Sequence, residues 1–150
     1  MEYYIYFKTS KLRPDFRLVC EWVSENIHNV DTEGDSHNPA SKEWTWLYLS
    51  NRKIENEYAE IVQTKQNSEV YEIESSKAEF GYFLAYFLSI ETNALIAFDD
   101  KFEKTIELED LKQKIANYNI DKSLKRTENS IWRKATLEEP YPNEEPNCII

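Results

Sequence analysis

The residues able to do chemistry in this chain are few, and their spacing does not bring them together. The imidazoles are His28 and His37, and the thiols are Cys20 and Cys148. Cys20 falls on the apolar side of a helical repeat, where a buried thiol is an inert structural group. His28 and His37 have no cysteine at ligand spacing. The acids between and around them, Asp31, Glu33 and Asp35, match no ion-binding loop, so neither a metal nor another cofactor is expected. No serine sits in a Gly-x-Ser-x-Gly elbow, and a triad built on either histidine has no support in the order of residues. The pair Asp99-Asp100 follows an apolar strand, a place where metal-dependent nucleases put a carboxylate. A hairpin tip accounts for it better, because Asp bonds its own backbone there. With only two glycines there is no Gly-rich loop to cradle a phosphate. The expectation is a protein that binds rather than catalyses, with a small hydrolase as the remotest alternative.

Binding chemistry then has to come from charge and aromatic surface. Against 18 Lys and Arg stand 28 Asp and Glu, a formal net charge of −10. Such a chain lacks the cations that grip phosphates, which argues against nucleic acid and anionic membranes as partners. It suits steering toward a basic protein. Tyr4, Tyr6, Trp44, Trp46 and Tyr48 exceed what one small core face needs, and such side chains are favoured anchors of protein interfaces. A stacking platform for single-stranded nucleic acid built on the same rings would require a basic field, which this chain lacks. The partner-binding residues expected are Asp31, Glu33 and Asp35 in an exposed loop, Trp44, Trp46 and Tyr48 on a strand, and Asp99 and Asp100 in a turn.

The first residues carry no basic stretch ahead of an apolar run, as a signal peptide would. No apolar run approaches a membrane span. The ending Cys148-Ile149-Ile150 lacks the spacing of a prenylation box. Sparse cysteines point to a reducing compartment, so the cytoplasm is expected.

The elements that must position these residues follow from periodicity. A single domain over residues 1–150 is expected, since 41% of the residues are hydrophobic, enough for a core. Glu2 to Thr9 alternates as a strand with aromatic residues on both faces. Pro14 to Ile27 is an amphipathic helix, with Phe16, Val19, Cys20, Val23 and Ile27 at helical spacing. His28 to Glu43 is polar and reads as a long exposed loop. Trp44 to Ser50, Tyr58 to Thr64 and Val70 to Glu74 read as an antiparallel meander. Ser76 and Glu79 have the spacing of a capping box, opening an almost wholly apolar helix to Ile90. Gly81 there suggests a close approach by another element. Ala94 to Phe98 is a buried strand, with Phe102 to Ile106 as a possible return strand. Leu108, Leu111 and Ile115 mark a further helix. Residues 121–150 read as an irregular tail anchored by Trp132.

This is an α+β chain in β-α-β-β-α-β order, a ferredoxin-like arrangement with the helices on one face of an antiparallel sheet, plus a C-terminal helix and tail.

A family resemblance rests on Ser75 to Asn117. There a capped aromatic helix runs into Thr92-Asn93-Ala94-Leu95-Ile96-Ala97-Phe98-Asp99-Asp100, followed by Leu108-Glu109-Asp110-Leu111-Lys112. The pattern resembles the second half of small acidic immunity proteins from bacterial polymorphic-toxin systems. The resemblance implies a non-catalytic protein that binds a cognate basic toxin domain and blocks it. An acidic, phage-encoded inhibitor that mimics nucleic acid is the alternative.

Overall fold

The computed structural model describes residues 2–27 and 29–142. The elements are β1 (Tyr3–Lys8), α1 (Phe16–Ser24), β2 (Val30–Gly34), β3 (Trp46–Asn51), β4 (Tyr58–Gln63), β5 (Val70–Ser75), α2 (Ala78–Thr92), β6 (Leu95–Ala97), α3 (Leu108–Lys114) and α4 (Ile120–Glu128), then a 3-10 turn at Ile131–Lys134. The fold is α+β, with one open sheet in the order β2-β3-β4-β5-β1-β6. Every neighbouring pair is antiparallel. Four strands, not the shorter series expected, lie between α1 and α2. The sheet therefore has six strands and extends beyond a four-stranded ferredoxin-like arrangement.

Alternation of side chains builds the core. Ile5, Phe7, Leu47, Leu49, Ala59, Ile61, Tyr71 and Ile73 all point to one face and are buried. Phe7 stacks on Tyr71 across the β1–β5 ladder, with ring centroids 5.0 Å apart. α2 lies over β1 and β5, and α1 packs against α2 and β2. Trp22 of α1 is fully buried between the helices, 4.7 Å from the Phe83 ring and 4.8 Å from that of Phe87. Its indole N–H donates to the Phe83 carbonyl at 2.9 Å, which satisfies the polar end of an otherwise apolar side chain.

α2 is as apolar as its sequence suggests, being buried from Phe80 to Ser89 except at Tyr82. Its start differs from the expected capping box. The helix begins after Lys77 with no side-chain cap. The Ser76 hydroxyl is instead engaged by β4, accepting from the Tyr58 N–H at 2.8 Å. Gly81 does mark a close approach, since a Cβ there would lie 2.6 Å from the Ser75 Oγ. Asn93 ends the helix at φ 55°, a left-handed conformation that Asn tolerates.

Two segments correct the sequence reading. The expected loop from His28 to Glu43 contains β2, an edge strand paired with β3 from Val30↔Asn51 to Gly34↔Leu47; His28 itself lies outside the described residues. Val30-Asp31-Thr32-Glu33-Gly34 has no apolar alternation. Its place is set by the ladder and by the Thr32 hydroxyl, which donates to the Tyr48 carbonyl at 3.0 Å. The expected irregular tail contains α4, which packs against α1. Its buried side is built from Ser123 and Thr127 as well as Ile120, so no apolar stripe announces it. The Ser123 hydroxyl donates at 2.8 Å to the carbonyl of Trp22, near the end of α1 where helix carbonyls lack intrahelical partners. The possible strand at Phe102–Ile106 is reduced to one bridge, Ala97↔Thr105. Trp132 does anchor the chain end, with the Arg17 guanidinium 4.0 Å from its ring centroid.

Candidate partner-binding face

The helices cover one face of the sheet, and the alternation that buries Ile5, Leu47, Ile61 and Ile73 turns their neighbours to the other. β1 presents Tyr4, Tyr6 and Lys8. β5 presents Val70, Glu72 and Glu74, β4 presents Tyr58, Glu60 and Val62, and β3 presents Trp46, Tyr48 and Ser50. Asp31 and Glu33 of β2 continue that face by their pairing with Ser50 and Tyr48. All of these side chains are half-buried or exposed.

Register decides the chemistry of this face. Glu60 lies directly opposite Glu74, and Tyr48 opposite Glu60 on its other side. Tyr4 is opposite Glu74, and Tyr6 opposite Glu72. Each glutamate is held by an aromatic donor. The Tyr6 hydroxyl donates to Glu72 at 3.1 Å, the Tyr58 hydroxyl to Glu74 at 3.0 Å, and the Trp46 indole N–H to Glu60. Tyr48 and Tyr58 stack, with centroids 6.0 Å apart.

The carboxylates leave their mark on the phenols. Burial, the hydrogen bond to Glu72 and its charge push the Tyr6 hydroxyl up to about 12, and Asp100 adds to the shift. Burial and Glu74 push Tyr58 up to about 12. Tyr4 is raised chiefly by the charge of Glu74. At Tyr4, Tyr6 and Tyr58 a negative charge on the phenol oxygen is disfavoured by the neighbouring carboxylates, the same charges that would favour a cation brought to them.

The expected site residues divide. Trp46 and Tyr48 stand on the face, and Glu33 is exposed at its β2 edge. Asp31 is also exposed there but pairs with Arg52 at 3.0 Å, and that hydrogen bond and charge hold its carboxyl below the usual range. Asp100 is exposed beyond the end of β6, the edge strand beside β1, and close enough to act on Tyr6. Two assignments need correction. Trp44 precedes β3, is 2% exposed, and donates its indole N–H to the Pro14 carbonyl at 2.8 Å, so it is a core residue and no anchor. Asp35 is a structural acceptor: its carboxylate takes the Thr45 hydroxyl at 2.6 Å and the N–H groups of Thr45 and Trp46. Burial pushes the Asp35 carboxyl up, but these bonds outweigh it and hold the group below its ordinary value. Asp99, half-buried beside Asp100, accepts from the Lys101 N–H at 2.9 Å, the backbone bond expected of a turn aspartate. Asp31, Glu33 and Asp35 therefore do not project together on a loop; they line a strand and its end.

Glu60, Glu72, Glu74 and Tyr58 are the residues that sequence reasoning missed. Their signal was present as alternation, Tyr58-x-Glu60-x-Val62 and Val70-x-Glu72-x-Glu74, but which face would stay uncovered was not.

Among the described residues, no group of three or more His, Cys, Asp or Glu side chains is placed to hold a metal ion, and no helix is long and apolar enough to cross a membrane. The chain matches no protein-family model, no curated protein and no solved structure.

Proposed function

We propose that this chain is a non-catalytic, cytoplasmic binding protein of the immunity type, which neutralises a bacterial toxin by laying the uncovered sheet face on a basic surface of its partner. The observation that carries the reading is the cross-strand pair Glu60–Glu74. Like charges directly opposite on a ladder are destabilising, and a cationic partner relieves that repulsion on binding. The rings of Trp46, Tyr48, Tyr58, Tyr4 and Tyr6 beside the carboxylates supply area for anchoring, while the charge speeds encounter. This moves the contact surface from the loop and turn tips to the flat of the sheet.

The test is co-expression and capture of the product of the adjacent open reading frame, followed by association rates over a salt series. Association should slow between 0.1 M and 1 M salt, as the Debye length falls from about 10 Å to about 3 Å. Replacing Glu60 and Glu74 together by Lys should lower the on-rate. No complex, or a rate unchanged by both salt and substitution, would remove the reading.

The same row of carboxylates favours a second reading, an acidic inhibitor that mimics nucleic acid. Competition separates the two: duplex DNA should displace a mimic from its partner and leave an immunity protein bound elsewhere on its toxin.

A further inference from the structure

We propose that a cleft at one end of the sheet is a carboxylate-binding site centred on Arg13, separate from the open acidic face and independent of what that face binds.

Arg13 lies in the connection from β1 to α1 and is nine-tenths buried. Its backbone N–H donates to the Lys42 carbonyl at 3.0 Å. Its Nε donates to the Trp44 carbonyl at 2.9 Å, and its Nη1 to the Lys11 carbonyl at 3.3 Å. The guanidinium carbon stands 5.1 Å from the Tyr71 ring centroid and 6.0 Å from that of Trp44. Every other arginine has an acid: Arg17 pairs with Asp15, Arg52 with Asp31, Arg126 with Glu25, and Arg133 with Glu91. Arg13, the most buried of them, has no carboxylate within ion-pair distance among the described residues, in a chain of net charge −10.

A buried charge is costly unless paired. Two carbonyls and two rings offset part of that cost, but the Nη2 amino group has no acceptor among the described residues. It is not sealed in either, because Arg13 lines an open cleft of about 420 Å³. Thr9, Ser10, Gln63, Ser68 and Tyr71 contribute neutral polar groups to its lining. The planar guanidinium is preset for a carboxylate, and its orientation is already fixed by Trp44 and Lys11. Glu43 and Glu69 also line the cleft. Their charges disfavour a dianion such as phosphate more than a monoanion, so the ligand class is a single carboxylate. It is either free in solution or carried on an acidic side chain of a protein.

The experiment is an NMR titration of the intact chain with sodium acetate and, separately, with N-acetyl-aspartate N-methylamide. Sodium chloride at matched ionic strength is the control. The Arg13 Nε–Hε signal and the Ser68 and Tyr71 amides should shift saturably with the carboxylates and not with chloride. Tighter binding of the peptide-like probe assigns the site to a protein side chain, and equal binding assigns it to a free carboxylate. Arg13→Lys should abolish saturation. Because that substitution also removes the bond to Trp44, Glu69→Gln is the second variant. Glu69 is exposed, and removing its charge should tighten acetate binding on the order of five-fold. Shifts that are linear in salt whatever the anion, or an affinity indifferent to Glu69→Gln, would overturn the proposal.

Discussion

Glu60 of β4 and Glu74 of β5 face each other directly across an antiparallel ladder, on the side of the sheet that no helix covers. Tyr58 and Trp46 each hold one of the two carboxylates by a hydrogen bond. The bonds orient the two acids.

The first prediction follows from that repulsion. Glu60→Gln keeps an acceptor for Trp46 and removes one charge, so it should raise stability by about 0.2–1 kcal/mol, the size of a cross-strand pair. A urea titration reads this as a higher midpoint at unchanged slope. A lower midpoint would mean that the pair is not repulsive in the folded chain.

The second concerns alkaline pH. The folded-state phenols of Tyr6 and Tyr58 stand at about 12, above the ordinary tyrosine value near 10. A raised folded value means that the unfolded chain loses these protons first. Their contribution to stability is therefore complete below pH ~10 and is lost as pH rises from there through ~12. Ultraviolet titration should show phenolate appearing in that late range, and Tyr6→Phe should remove part of that late step. A titration with every phenol ionised near 10 in the folded protein would contradict this.

The third concerns Gly81. Ala is ordinarily better than Gly in a helix by about 1 kcal/mol. Here the added Cβ would meet the Ser75 Oγ at 2.6 Å, so Gly81→Ala should instead destabilise the chain by roughly 1–3 kcal/mol. In a Ser75→Ala background the nearest remaining atoms lie at 3.4 Å and 3.7 Å, ordinary contact distances, and the substitution should cost much less. Equal costs in both backgrounds would show that Ser75 is not the obstacle.

The fourth separates two neighbouring acids, Glu33 and Asp35, by role. Glu33→Lys should leave thermal stability nearly unchanged, since its side chain is exposed at the edge of β2. Asp35→Ala should lower stability by about 0.5–1.5 kcal/mol, because it strips the acceptor from the Thr45 and Trp46 N–H groups where β3 begins. If the two variants melt together, Asp35 is not holding that end of the sheet.

The sequence by itself determined the elements whose burial is apolar and periodic. Alternation placed β1, β3, β4 and β5, and helical spacing placed α1, α2 and α3, because each must turn one hydrophobic side inward wherever its partner lies. It also determined the negative charge, which is a sum and needs no fold. Tertiary structure alone decided β2, whose polar residues are ordered by a neighbour's backbone, and α4, whose Ser123 and Thr127 are buried by hydrogen bonding. It decided that Trp44 is core while Trp46 lies on the open face, since strand alternation starts only at Trp46 and Trp44 reaches back to Pro14. And it decided that Glu60 meets Glu74. Ladder register and the choice of which sheet face the helices leave bare are long-range properties, set by packing between segments far apart in the chain, and no local pattern of residues encodes them.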